Sequence, residues 1–455
     1  MKMLKAYIPI ISVFFLALLV RIVYNVTVAA DYQPLFDAAL YDTIARHIVN
    51  DHCYCLDPLY STVSRPPLWP FIIAIIYFFA GQQEFYARLF YCFLGSITCV
   101  LVYLLAKDLF GRRVALLTGI VAAIYTGLFI YDGWLYSESL YTFCLTAFTY
   151  SLYRLQHSPF LGKGSEKKKF SPTFWRQQLQ IVRPGWVILC GILIGLAALT
   201  RPNGIFLLGL VYVWAVLVVL THIISWKIVV KDVLIITCIT LIIIAPWTYR
   251  NYRVTHSFVL VSTGMGEVLL GAYNDNVVYG DPIVRGMWRL PAGSVNHDMP
   301  NYTPANDRAD TKHAFSWMSR HIPATLSLLG LHLRNMWIPY TYSHGLPIEE
   351  YPHRPSSQIV IDMITTMSIF IFSFAAFGFF ITRKRWKHLL VVYLLIALTI
   401  VQNMVFYSDM RFRSSIEPFL VLFAGGAFWF LRSVSFGPLY ARLKKRFAPF
   451  PKAQV

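Results

Sequence analysis

A single all-α bundle of about ten membrane-crossing helices, with interfacial helices in its first external loop, is the fold this sequence predicts. Three observations predict it. Of 455 residues, 57% are hydrophobic and only 14% charged, whereas a soluble domain carries roughly a quarter charged residues. The hydrophobic residues fall in blocks of about 17–25, the length at which a helix crosses a bilayer. Lysines gather in alternate connections, the pattern of cytoplasmic loops in a multi-pass protein. The net charge of +18 is read the same way. No basic stretch has the form of a soluble binding module, so nucleic acid is excluded and membrane lipid is the expected surrounding.

The first apolar block, Tyr7 to Val28, follows Lys2 and Lys5 and lacks a small-residue cleavage site. It reads as a retained helix with its N-terminus inside. Nine further blocks lie at 87–106, 114–133, 138–155, 186–200, 204–222, 232–249, 359–381, 389–407 and 415–432. Pro70–Gly81 offers only about a dozen apolar residues and reads as a re-entrant or interfacial piece. The lysines support that reading. If Pro70–Gly81 does not cross, Lys107, Lys163, Lys167–Lys169, Lys227, Lys231, Lys384, Lys387, Lys444, Lys445 and Lys452 all face inside, leaving Lys312 outside. If it does cross, every later loop inverts. The expected organisation is one transmembrane unit over 1–432, with a first external loop at 29–86, a long external loop at 253–358, and a basic tail at 433–455. Both termini are expected in the cytoplasm, with the chain in the plasma (inner) membrane.

This topology sends the unusual residues outside, where a scaffold holds loops that carry function. In "FDAALYDTIARHI", Phe36, Leu40, Ile44 and Ile48 form a helical apolar stripe, as an interfacial helix requires. Asp37 and Tyr41 share a face beside it. Asp42 is about 140° away around the helix, so the two acids do not converge. An acid held at membrane depth implies a function, although a first-turn acid also serves the helix dipole. Arg65 precedes Pro66-Pro67 at the start of the short apolar piece. Arg201 precedes Pro202 at a turn between two spans, and Arg250 and Arg253 follow Pro246-Trp247. Single arginines at such places snorkel to the interface. Several at one external mouth suit a lipid phosphate, which guanidinium forks grip well.

The residues then carry a resemblance. In order stand D-x-x-x-Y (Asp37, Tyr41), R-P-P-L (Arg65–Leu68), A-R-L (Ala87–Leu89), L-F-G-R-R (Leu109–Arg113) and S-E-S-L (Ser137–Leu140). G-L-A-A-L-T-R-P-N-G (Gly195–Gly204), P-W-T-Y-R-N-Y (Pro246–Tyr252) and R-F-R-S-S-I-E-P (Arg411–Pro418) follow. The ordered set resembles the GT-C membrane glycosyltransferases, in the branch with dolichyl-phosphate-mannose protein mannosyltransferases and the aminoarabinose transferase of lipid A.

The resemblance implies a GT-C-like bundle that moves a sugar from a polyprenyl-phosphate donor to a glycan, lipid or protein acceptor on the outer face. It assigns the catalytic base to the position of Asp37 and donor-phosphate ligands to those of Arg65 and Arg201. Tyr41, Glu138 and Arg250 join them as expected substrate-binding residues, Glu138 also being placed to cap its helix. One base, with no second nucleophilic acid beside it, implies a single inverting displacement. Ala38 follows Asp37 where many relatives carry a second acid, so no metal role is carried over. The sequence points to no particular cofactor; it allows a divalent metal but does not indicate one, and His297, His313 and His321 lack metal-ligand spacing.

Glu267, Asp275 and Asp281 in the long loop read as solvated or as acceptor contacts, and its Trp288, Tyr302, Trp317 and Trp337 as sugar platforms or interface anchors. Cys92, Cys99, Cys144, Cys190 and Cys238 read as core residues, and Cys53 and Cys55 as an external pair, bridged or free. The sequons at Asn25 and Asn301 read as chance. A membrane transporter or lipid flippase, or a surface-glycan polymerase or ligase, is the alternative, because broken helices and buried charges suit transporters too.

Overall fold

The computed structural model describes residues 2–158, 173–280, 285–296, 298–299, 302–339, 350 and 354–433. The expectations for Lys163, Lys167–Lys169, Asp281, His297, Asn301 and the 434–455 tail lie outside the described residues. Among those described, the regular secondary structure is helical apart from one small hairpin.

The first half comprises α1 (Lys2–Val26), α2 (Phe36–Asn50), the antiparallel pair β1 (Cys55–Asp57) and β2 (Tyr60–Ser61), α3 (Leu68–Ala80), α4 (Glu84–Phe110), α5 (Arg112–Ile124), α6 (Thr126–Phe129) and α7 (Glu138–Gln156). The second comprises α8 (Thr173–Thr200), α9 (Phe206–Leu220), α10 (Trp226–Thr255), α11 (Met265–Ala272), α12 (Asp275–Tyr279), α13 (Pro304–Arg320), α14 (Ile322–Trp337), α15 (Arg354–Thr382), α16 (Trp386–Val405), α17 (Met410–Arg413) and α18 (Glu417–Ser433). Each of the ten predicted blocks coincides with a helix or a broken pair. By length and apolarity alone, seven described stretches can cross a bilayer, or eight if the bent pair α5–α6 is one crossing.

Two features account for the difference. In α7 all residues but Phe143 and Arg154 are buried, so protein rather than lipid surrounds it and it need not be apolar. Its Thr142 and Leu145 carbonyls accept from Thr146 and Thr149, which hides the hydroxyls within the helix. The apolar run from Gln358 to Val405 is two helices. Phe379 and Tyr393 lie with ring centroids 5.2 Å apart, where a continuous helix would separate them by about 21 Å. The chain therefore doubles back at Arg383–Arg385. α15 and α18 pack backbone to backbone at Gly378, where an added methyl would strike the Phe423 carbonyl, the close approach that small residues permit between membrane helices.

α3 holds 13 residues, about 20 Å, too short for a hydrocarbon core of about 30 Å. Phe78 and Phe79 are exposed. In α2 the buried face is Ala38, Tyr41, Ile44 and Ala45, while Phe36 is exposed. The buried stripe is thus shifted round from the Phe36–Leu40 edge, because the helix packs against α3 along its small residues. Cys238 is also exposed rather than buried, since α10 turns that face away from the bundle.

The ends of the bundle differ in charge. Arg385 donates to the Leu109 carbonyl, Gln156 to that of Lys387, and Arg183 to that of Leu155. These contacts gather Lys107, Lys231, Lys384 and Lys387 at one end. Asp37, Arg65, Arg201 and Arg411 meet at the other.

Candidate active site

Local chain constraints place each charged group at this second end. Pro66 and Pro67 prevent α3 from extending backwards, and Tyr54 donates its hydroxyl to the carbonyls of Arg65 and Pro66 at 3.1 and 3.0 Å. Trp69 is fully buried, stacked on Tyr91 at 4.0 Å, with its indole N–H on the Leu135 carbonyl. Arg65 is thereby held at the rim. Arg201 sits in extended backbone between α8 and the turn at Pro202–Ile205. Gly204 is required there, because a side chain would strike the Ala197 backbone at 2.5 Å. In R-F-R, Arg413 turns inward to Glu417 and to the carbonyls of Met336 and Ile338, and Arg411 turns to the site.

The result is an alternating chain of three acids and three arginines. Arg65 Nη2 lies 2.6 Å from Asp298 Oδ2 and 3.0 Å from Asp37 Oδ1. Arg411 Nη2 donates to Asp37 Oδ2 at 2.6 Å. Arg411 Nε lies 2.7 Å from Glu138 Oε1, an ion-pair contact not aligned as a hydrogen bond. Arg201 Nη1 donates to the same Oε1 at 2.6 Å. Aromatic rings floor the chain: Tyr41 under Arg65, Tyr136 under Arg411, and Phe412 under both Arg201 and Arg411.

Burial alone would push the Asp37 carboxyl up, but Arg65 and Arg411 outweigh it and hold it below the ordinary carboxylate range. Arg65, although desolvated, is held above its ordinary value by Asp37 and Asp298. The pairing leaves Arg65 Nε, Arg411 Nε and Glu138 Oε2 buried without hydrogen-bond partners. Such atoms are costly, and an anion entering between the guanidiniums would satisfy the two donors.

The structure brings Asp37, Tyr41, Arg65, Glu138 and Arg201 together. Glu138 is a ligand of two arginines, with no side-chain cap at the start of α7. Arg250 stands apart: it donates to the backbone carbonyls of Thr62 and Tyr54 at 2.7 and 3.2 Å and stacks on Trp247. It braces the hairpin leading to Arg65 and does not join the chain. Asp42 faces Arg46 at 2.7 Å and the Tyr77 hydroxyl. Asp275 accepts from the Trp317 indole, Glu267 is buried at the start of α11, and Trp288 packs on Gly271.

Three participants escape sequence reasoning. Arg411 lies in a quoted motif, but nothing in R-F-R says which arginine faces the site. Asp298 comes from the long loop without periodicity to mark it. Glu350 accepts from the Leu35 N–H and the Tyr136 hydroxyl, and its backbone carbonyl accepts from Gln33. It thus pins both the start of α2 and the ring beneath Arg411. Burial raises its carboxyl to about 7.

Residues 64–160 match the family profile of dolichyl-phosphate-mannose-protein mannosyltransferases. No curated protein sequence matches the chain. Among solved structures, the archaeal oligosaccharyltransferase AglB from Archaeoglobus fulgidus, in complex with an inhibitory peptide and a dolichol-phosphate, is similar over 99% of this chain and 53% of its own, with a TM-score of 0.55 at 14% identity. The same enzyme tethered with an acceptor peptide containing the NVT sequon is similar over 100% and 53%, with a TM-score of 0.56 at 14% identity. ArnT from Cupriavidus metallidurans, bound to undecaprenyl phosphate, covers 98% and 82%, with a TM-score of 0.44 at 15% identity. The chain spans about half the length of the oligosaccharyltransferase. Its fold, a multi-pass membrane bundle with interfacial helices, is that of the archaeal oligosaccharyltransferase.

Proposed function

We propose that this protein is an integral-membrane glycosyltransferase, which moves a sugar from a polyprenyl-phosphate donor to a glycan, lipid or protein acceptor on the outer face of the plasma (inner) membrane. The observation that carries the reading is the alternating acid–arginine chain at the end of the bundle opposite the lysines. The lysine-rich end is the cytoplasmic one, which makes 29–86 and 253–358 external loops and leaves both termini inside. The likeness to an oligosaccharyltransferase solved with dolichol-phosphate supports the donor class.

Breaking the bond between the anomeric carbon and the phosphate needs a base for the acceptor's proton and cations for the departing charge. Asp37 is the base. Arg65, Arg201 and Arg411 receive the phosphate. In the resting arrangement Asp37 is a weak base because two guanidiniums hold it. A phosphate that recruits those guanidiniums raises its basicity at the moment the acceptor needs it. Tyr41 floors Arg65, Glu138 aims Arg201 and Arg411, and Arg250 holds the hairpin that presents Arg65. A lone base on the acceptor side gives a single displacement with inversion. Transfer from a synthetic polyprenyl-phosphate sugar, measured with purified wild type and with Arg65→Ala and Arg201→Ala, tests the reading. Both variants should lose turnover at limiting donor, and wild-type rates in both would overturn it.

A further inference from the structure

The C-terminal end of α2 carries a second cluster that the transfer reaction does not use. One ligand atom from each of His47, Cys53 and Cys55 lies within 4.8 Å of the other two. Cys53 and Cys55 are joined as a disulfide. His47 Nδ1 is 2.7 Å from Asp51 Oδ2, which leaves Nε2 as the free ring nitrogen. Cys55 is fully buried, and Cys53 and His47 are half-buried.

We propose that, on reduction, His47, Cys53 and Cys55 form a binding site for a thiophilic cation of the zinc class. Two thiolates and one imidazole are a donor set that Zn²⁺ takes tetrahedrally, with a fourth position left for water. The Asp51 carboxylate on the other imidazole nitrogen is the outer partner that orients a metal-bound histidine. The chemistry balances in two steps. An external dithiol gives two electrons and two protons to the disulfide and is itself oxidised, leaving two thiols. The cation then displaces both thiol protons as the thiolates bind it.

The position gives the site a consequence. Tyr54 lies between the two cysteines, its hydroxyl holds the Arg65 and Pro66 carbonyls, and its own carbonyl accepts from Arg250. Either closure, by sulfur–sulfur bond or by metal, adds a covalent or coordinate tie to the loop that presents Arg65, and the open dithiol leaves it to the hydrogen bonds of Tyr54 and Arg250.

The test uses the full-length protein in detergent, reduced, desalted and free of any histidine tag, with Zn²⁺ alone as ligand and Co²⁺ as a spectroscopic reporter. Reduced wild type should retain one equivalent of zinc by elemental analysis, and Co²⁺ should give near-ultraviolet thiolate charge transfer. Cys53→Ser and Cys55→Ser should each lose both signals, and Asp51→Asn should weaken binding by about 10- to 100-fold. In wild type, zinc should protect Cys53 and Cys55, and not Cys238, from alkylation mapped by mass spectrometry, a reading that needs no variant to fold. No retained zinc, equal retention in both serine variants, or alkylation of Cys53 and Cys55 unchanged by zinc would overturn the proposal.

Discussion

Arg21 and Asp132 meet at 2.6 Å, 1% and 2% exposed, in the middle of the bundle. Asp37 meets Arg411 at the same distance, but there the side chains are 25% and 20% exposed. The inner pair is withdrawn from solvent, and its guanidinium is fully engaged. Arg21 also donates to the Ala17 carbonyl and to that of Ala123, an acceptor left near the break between α5 and α6. Gly95 makes room for it, since a side chain there would strike Asp132. The outer chain keeps buried Nε donors on Arg65 and Arg411 without an aligned hydrogen-bond partner, that of Arg411 making only an ion-pair contact with Glu138. The same residue types, at the same distances, are support in one place and the proposed site in the other. What separates them is access and unspent hydrogen-bonding capacity, not charge.

Substitutions sharpen or break this contrast, and the largest effect belongs to the outer acid. Asp37→Asn preserves shape but removes the proposed proton acceptor, so transfer should fall by about 10²–10⁴-fold while the protein still inserts and binds donor. A loss that tracks folded yield would make Asp37 structural, like Asp132. For the inner pair, Arg21→Ala strands a buried carboxylate and should destabilise the protein by about 3–5 kcal/mol. It should reduce folded yield in detergent without changing turnover per folded molecule. Arg411→Ala should do the reverse, costing about 2–4 kcal/mol of transition-state stabilisation at unchanged yield. A collapse in yield there would erase the distinction between the two groups.

Glu350 offers a pH test of the brace behind the site. Its folded pKa lies above the ordinary carboxyl value of 4.5, so the fold favours the protonated form. That contribution is complete below about pH 4.5 and is lost as pH rises through about 7, amounting to no more than about 3 kcal/mol. The apparent melting temperature should therefore fall between pH 5 and 8, and Glu350→Gln should remove that part of the slope. The smallest effect is expected at Asp42, which faces Arg46 and Tyr77 away from the site. Asp42→Asn should leave transfer near wild type and change stability by about 0.5 kcal/mol or less. A loss matching that of Asp37→Asn would mean that α2 presents the wrong face.

Much of this was legible in the sequence, for identifiable reasons. Span lengths follow from bilayer thickness, so ten blocks could be marked from apolarity alone, α7 included despite its threonines. The dozen apolar residues after Pro70 could be kept out of the count because they are too few to cross the hydrocarbon core. Helical spacing put Asp37 and Tyr41 on one face and sent Asp42 elsewhere. Short-range geometry does not reach across the chain, however. That Arg411 binds Asp37 over 374 residues of separation, that Asp298 descends from the long loop onto Arg65, and that Arg250 braces a hairpin without touching an acid were decided by packing. The buried stripe of α2 shifted from Phe36 to Ala38 because close approach to α3 needs small side chains. Local periodicity and apolar length thus set which helices form, since each depends on the chain's own few neighbours and on the membrane. The pairing of three acids with three arginines is a long-range arrangement, and only the folded bundle decided it.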